Sequence, residues 1–351
     1  MARRALPLDN AAIAELLIRE AANAEGHREK AFRRAAHAAF MWPEEATDLF
    51  AAGRSLTELR GIGASLAKRV QAWIEAPPPD LGPPPIRGEF LTLAQARRIL
   101  AKDPKWAARL RGDLQMHTEW SDGATPIADM AAAAVERGYQ YIAITDHTQG
   151  LKIANGLDVA RLAKQAREVA KVNADCRKAG ADFTVLHSAE VNLSPLGESD
   201  MPSAALAKLD LVLGCFHSAL RRTEDQTARY VAALQNPDIQ ILGHPQTRVW
   251  NRREGLHCDW ARVFGEAARL DKAVEIDGDP ARQDLRVSLL KIAKKEGCRI
   301  SIGTDAHHPE EFAYIELSLA AALLAKISAE RIVPFMPLPE LRAWVASLRA
   351  A

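Results

Sequence analysis

Seven short aliphatic runs, at residues 113–117, 141–145, 183–189, 209–216, 239–242, 273–276 and 299–302, recur through the later part of the chain. Longer stretches separate them, with apolar positions at helical spacing. Strands joined through helices pair in parallel, because a parallel neighbour is reached only by a crossover of a dozen or more residues. This predicts an α/β fold. Seven such units suit a closed barrel better than an open sheet, although periodicity alone does not decide between them.

The strongest punctuation lies upstream. Pro77-Pro78-Pro79 and Pro83-Pro84-Pro85 put six prolines into nine positions, which neither a helix nor a central strand accepts. The stretch reads as a stiff, extended linker dividing the chain into a helical domain at 1–76, a linker with a short helix at 77–110, and the repeating domain at 111–351. The first domain is predicted as a helix over 11–24 capped by Asp9 or Asn10, a second over 29–40, a third starting at Pro43-Glu44-Glu45, and a helical pair over 59–73 around Gly61-Ile62-Gly63.

Composition bounds the function. The chain has 351 residues, and 46 Lys and Arg against 45 Asp and Glu leave a net charge of +1, so no polyanion is held by bulk charge. The first 75 residues balance 11 basic against 10 acidic side chains. No uncharged apolar run approaches the roughly 18 residues of a membrane span, and the start through Met1-Ala2-Arg3-Arg4 lacks the apolar stretch of a leader. Cys176, Cys215, Cys258 and Cys298 are isolated, which argues against disulfides and thiolate zinc sites and makes the cytoplasm the expected compartment. Cys215 and Cys298 read as small core residues.

Six of the ten histidines fall at or just past the carboxyl end of a predicted strand. They are His117, His147, His187, His217, His244 and His307, accompanied by Asp122, Glu190 and Asp305. In a parallel barrel these ends converge on one face. Imidazoles and carboxylates without thiolates suit Zn, Mn or Fe. The donors exceed what one ion needs, so two or three divalent ions are expected. Such clusters clamp a phosphoryl group and acidify a bound water. His187 is set apart, because a neighbouring strand position faces the opposite way; it is expected to be packed.

Asp113-Leu114-Gln115-Met116-His117 with Ser121-Asp122-Gly123, Ile144-Thr145-Asp146-His147, Phe216-His217-Ser218, Gly243-His244-Pro245 and Thr304-Asp305-Ala306-His307 resemble, in order, the motifs of the polymerase-and-histidinol-phosphatase (PHP) family. The resemblance covers about residues 111–330. It implies a distorted seven-stranded β/α barrel with a trinuclear metal site for phosphoester hydrolysis. By the same resemblance, Gln115, His117, Glu190 and Asp305 hold a first metal. Glu190 bridges to a second held by His217 and His244, and Asp122, His147 and His307 hold a third. A metal-activated water replaces any serine or cysteine nucleophile. Glu190, His117, His217 and Arg248 are the catalytic candidates. Many relatives carry histidine where this chain has Gln115, and the glutamine variant resembles the PHP domain of bacterial family X DNA polymerases. Arg248, Arg252 and Arg253 follow His244 and are candidates for holding substrate phosphates, Arg248 foremost.

The segment from Leu59 to Val70 resembles a helix-hairpin-helix element, and the whole helical domain resembles the amino-terminal domain of those polymerases. The expectation is a grip on the DNA backbone, without base reading, through Gly61, Gly63, Lys68, Arg69, Arg33 and Arg34. Arg69 stands at the position of the family's lyase lysine and cannot be an amine nucleophile, which argues against lyase chemistry. Residues 77–110 leave no room for a polymerase palm.

The expected activity is metal-dependent hydrolysis of a phosphodiester or 3′-phosphomonoester at DNA ends or gaps, as exonuclease, abasic-site endonuclease or 3′-phosphatase, in DNA repair. DNA is the expected partner, with no membrane and no protein partner. The alternatives are a small-molecule phosphomonoesterase of the histidinol-phosphatase kind and a non-catalytic DNA-binding protein with a degenerate metal site.

Overall fold

The computed structural model describes residues 8–79 and 82–350; residues 1–7, read above for a leader, residues 80 and 81 of the proline stretch, and residue 351 lie outside it. Seven strands form one parallel sheet in sequence order: β1 (Gly112–Asp113), β2 (Tyr141–Ile144), β3 (Thr184–Asn192), β4 (Leu211–Cys215), β5 (Ile241–Leu242), β6 (Ala273–Asp277) and β7 (Arg299–Gly303). Past the carboxyl ends of β7 and β1 the sheet bends round on itself, where His117 N donates to Ala306 O at 2.8 Å and Asp305 N to Gln115 O at 3.1 Å. The result is a nearly closed, seven-stranded α/β barrel. It is distorted at β3, whose first half pairs with β2 through Thr184–His187 and whose second half pairs with β4 through Ser188–Asn192.

Helices cover the outside, including Ile127–Glu136, Val159–Lys178, Trp260–Arg269, Val287–Glu296 and Ile315–Leu324. A final helix, Leu338–Ala350, was not anticipated from the strand rhythm. It closes the amino-terminal mouth of the barrel by packing Leu341, Trp344, Val345 and Leu348 beneath Leu114, Leu186, Leu213 and Ile241. With that end sealed, the carboxyl ends of the strands are where the barrel opens.

Upstream lie α1 (Asn10–Ala22), α2 (Gly26–Ala39), α3 (Ala46–Ala51), α4 (Ala64–Glu75) and α5 (Leu93–Leu100). Asp9 caps α1 by accepting from Ala12 N at 2.9 Å. Thr92 and Gln95 form a reciprocal cap on α5. The predicted helical pair over 59–73 is corrected. Only α4 follows the Gly61–Gly63 turn, while a single 3-10 turn, Leu56–Glu58, precedes it under a Ser55/Glu58 capping box. Gly61 has φ 81°, and a Cβ there would meet Ala38 Cβ at 3.3 Å, so this turn lies directly on α2.

The segment after the prolines is docked rather than free. Arg87 forms a bidentate pair with Glu15 of α1 and donates to Asn251 Oδ1 at 2.8 Å. Helix α5 packs Ala96 against Leu317 and Ala320 of the barrel's last crossover helix. The apolar core of the helical unit also draws in Phe90 and, from the barrel, Trp250. Among the described residues no helix is long and apolar enough to cross a membrane.

Candidate metal centre

Glu190, carried inside β3, is the hub of the open end. Its Oε1 lies 2.9 Å from His217 Nε2, 3.0 Å from His244 Nε2 and 3.7 Å from His147 Nδ1. Its Oε2 lies 3.2 Å from His117 Nε2, which is also 2.9 Å from Asp305 Oδ1. Asp122 faces the far side of the cluster, 3.7 Å from His147 and 3.6 Å from His307. The His117 ring is sandwiched between the rings of His147 and His307, with centroids 4.4 and 4.5 Å away. The donors fall into overlapping sets: His117, Asp122, His147 and His307; His147, Glu190 and His217; Glu190, Cys215 and His244; and His117, Glu190 and Asp305. Eight of the nine residues assigned to metal by resemblance therefore lie in these sets, delivered from six strand ends, and the ninth, Gln115, joins them through Glu190.

Electrostatics describe a site assembled for cations. Burial alone would raise the Glu190 carboxyl, but His147, His244, His117 and His217 outweigh it and hold Glu190 well below the carboxylate range. His117 is drawn well above the histidine range, because Asp305 and Glu190 overcome its burial. His147 is pushed by burial down to about 3, which keeps its ring neutral and ready to ligate. The fit to a metal is visible in unsatisfied atoms. Gln115 Oε1, His117 Nδ1 and His147 Nδ1 are buried without hydrogen-bond partners, and His117 Nε2 and His217 Nε2 meet carboxylate oxygens without forming a hydrogen bond. Buried polar atoms are rarely left so, and a set of imidazole and carboxylate donors with such atoms fits divalent cations. Gln115 is part of the arrangement: its Nε2 donates to Glu190 Oε2 at 3.1 Å while its Oε1 stays unpaired.

A second layer orients these ligands. Asn192 Oδ1 accepts from His217 Nδ1 at 3.1 Å, which presents Nε2 to Glu190. The Asp305 carbonyl does the same for His307 Nδ1 at 2.7 Å, and Asp305 itself takes a left-handed φ of 56°. Asp146 receives Thr118 N, Thr118 Oγ1, Ser121 Oγ and Gln165 Nε2 at 2.5–2.8 Å, fixing the loop after β1. Glu275 of β6 accepts from His244 N at 2.8 Å.

Sequence reasoning gave no role to Asp146, Asn192, Glu275, Asp277 or Arg282. A legible signal existed for one pair: Asp277-Gly278-Asp279 ends β6 as the ligand motifs end their strands. Asp277 is fully buried, and Arg282, 30% exposed, sits 3.7 Å from it and 3.4 Å from Asp305. His187 packs outside the barrel, with Nε2 3.2 Å from Gln165.

The arginines divide. Arg248, expected to face substrate, is 2% exposed and turned away from the cluster. Its guanidinium lies 3.6 Å over the Phe90 ring and donates to Gly88 O and Glu89 O. Thr247, at φ 59°, reverses the backbone just before it. Arg253 donates to Thr247 O and is partly covered, whereas Arg252 is exposed. On the helical unit Arg33 and Arg34 are exposed on α2, with Arg33 paired to Glu29 at 2.8 Å. Lys68 is exposed, while Arg69 pairs with Glu20 at 3.1 Å.

A nearly closed parallel barrel whose strand ends deliver imidazoles and carboxylates to one carboxylate hub defines a barrel of the metal-dependent phosphoester hydrolase class. The chain belongs to the PHP domain family, which matches residues 113–307. It is 38% identical over 215 residues to the DNA polymerase/3′-5′ exonuclease PolX of Bacillus subtilis, an alignment covering 61% of this chain and 37% of that one. The chain thus spans little over a third of that relative's length. A probable phosphatase of Caldicellulosiruptor saccharolyticus is 26% identical over 197 residues, covering 55% of this chain and 77% of its own. Among solved structures, the histidinol phosphate phosphatase of Lactococcus lactis, complexed with zinc, L-histidinol and phosphate, is similar at a TM-score of 0.46 and 16% identity, over 62% of this chain and 94% of that one.

Proposed function

We propose that this protein hydrolyses phosphoester bonds at DNA ends or gaps, as a 3′-5′ exonuclease, abasic-site endonuclease or 3′-phosphatase acting in repair. The observation that carries the reading is the position of Glu190, with His117, His217 and His244 all within 3.2 Å of one carboxylate. Divalent cations held by these residues and by Asp122, His147, His307 and Asp305 would supply Lewis-acid polarisation of the phosphoryl oxygens and an acidified attacking water. The chain's own residues do the rest. Glu190 keeps its charge despite burial, so it can join two cation positions. Asn192 and the Asp305 carbonyl fix the tautomers of His217 and His307. The Asp146 network holds Asp122 and His117 in register across the site. Asp122 and His307, 37% and 34% exposed at the side chain, mark the open edge by which a substrate phosphate enters.

The DNA half of the reading draws on the likeness to a polymerase/exonuclease and on the resemblance of the sequence from Leu59 to Val70 to a helix-hairpin-helix element. The test is hydrolysis of end-labelled gapped DNA bearing a 3′-hydroxyl or a 3′-phosphate, with manganese and a chelator control. Chelator-sensitive shortening or dephosphorylation is expected. Turnover of small phosphomonoesters alone would favour the second reading, a small-molecule phosphatase, to which the likeness to the probable phosphatase of Caldicellulosiruptor saccharolyticus points. Neither turnover by metal-loaded protein would leave a DNA-binding protein.

A further inference from the structure

The seam between the helical unit and the barrel gathers positive charge on the side of the metal cluster. Trp250, on the loop leaving His244, is 2% exposed, and its ring meets His37 of α2 edge-on at 4.9 Å. Its backbone N donates to Ala281 O at 2.7 Å, so the same loop is tied to the segment carrying Arg282. Around that anchor the basic groups follow one another. Arg33 and Arg252 both lie near enough to His37 to depress its protonation after burial does so. Arg253 is lowered by burial and then by Arg282, with Asp284 acting against them and Arg221 and Arg252 adding to the lowering. Arg282 ends the series at Asp305, 3.4 Å away. At the other end, the Gly61 turn rests on Arg34–Ala38 of α2, and Arg60 reaches close enough to act on Tyr314, in the turn that follows His307.

Arg33 of α2 and Arg252 of the barrel are both exposed and flank the His37–Trp250 contact, and basic side chains exposed across a domain seam suit an extended polyanion. Arg282 is held by Asp277 and Asp305, whereas the exposed pair of Arg33 with Glu29 is the weak kind that a phosphate displaces. We propose that the helical unit and the barrel form a single DNA-binding surface, on which one strand's phosphates run from the Gly61 turn past Arg33 and across the seam at Arg252 and Arg253 to Arg282 beside the metal cluster. This rests on the DNA reading above. It adds that the docking of the two units, and not either unit alone, sets where the strand meets the metals.

The test uses the full-length, manganese-loaded protein and compares it with Arg33→Ala/Arg252→Ala. Binding of gapped DNA is measured by anisotropy as a function of salt, and metal content and thermal midpoint are checked in parallel. Each phosphate contact contributes roughly 0.9 to the slope of log affinity against log salt. The expected result is a slope shallower by about two and binding weaker by about tenfold or more near physiological salt, with metal content and midpoint unchanged. Unchanged affinity and slope in a variant that still hydrolyses gapped DNA would overturn the track and leave the DNA reading standing. Wild-type protein that hydrolyses p-nitrophenyl phosphate but neither binds nor cuts gapped DNA would overturn both.

Discussion

Glu190 concentrates more of the chemistry than any other residue. It is buried, is held charged against that burial by the imidazoles around it, and contributes to three of the four donor sets. Removing it leaves those imidazoles facing one another. Glu190→Ala is expected to lower bound metal and abolish hydrolysis, checked by elemental analysis of dialysed protein alongside activity; full activity would exclude a bridging role. Gln115→His asks a subtler question. An imidazole is a stronger donor than an amide oxygen, but the substitution removes the Nε2 bond to Glu190 Oε2. If the ligand gain dominates, metal in this set is lost to a chelator more slowly than in wild type, by about 10-fold on the scale of changes around a metal site. Equal loss rates would mean that the residue serves the carboxylate and not the cation.

Among the elements, the loop from β5 to β6 is where sequence and structure part company. Its first half was legible, because Gly243-His244-Pro245 sits at a strand end and delivers His244 to Glu190. Its second half was not. Arg248, Arg252 and Arg253 look alike in sequence, yet the reversal at Thr247 sends Arg248 under Phe90 and leaves Arg252 exposed. That outcome depends on a docking partner more than 150 residues upstream, which no local pattern records. The strands were readable for the opposite reason, since period and burial are set within each segment. Even so β3 runs on to Asn192, and the helix 338–350 that seals the barrel lies outside the repeating rhythm. Arg248→Ala therefore tests packing and not phosphate binding. It removes a stacked, buried cation and two backbone contacts and should cost about 2–4 kcal/mol, read as a lower denaturation midpoint with metal content intact. Loss of activity without loss of stability would return Arg248 to the site.

For the whole molecule, the proline stretch suggested two bodies on a stiff tether, whereas the structure straps them together. Arg87 clamps Glu15 and Asn251, α5 lies against the last crossover helix, and Trp250 of the barrel belongs to the apolar core of the helical unit. A core that borrows a side chain from its neighbour cannot unfold independently of it. Heating should thus give one coupled transition where separately folded units would give two. Trp250→Ala breaks this coupling at its most buried point, at a cost of about 3–5 kcal/mol by analogy with other large-to-small core changes. Although the Arg87 clamp and α5 contacts remain, loss of the shared core residue is expected to let the helical unit melt first, in a separate calorimetric transition, while the barrel keeps its metal. Proteolysis below that transition should stay slow in wild type and fall within residues 76–90 in the variant. A single transition shifted as a whole would mean that the strap, and not the tryptophan, joins the two units.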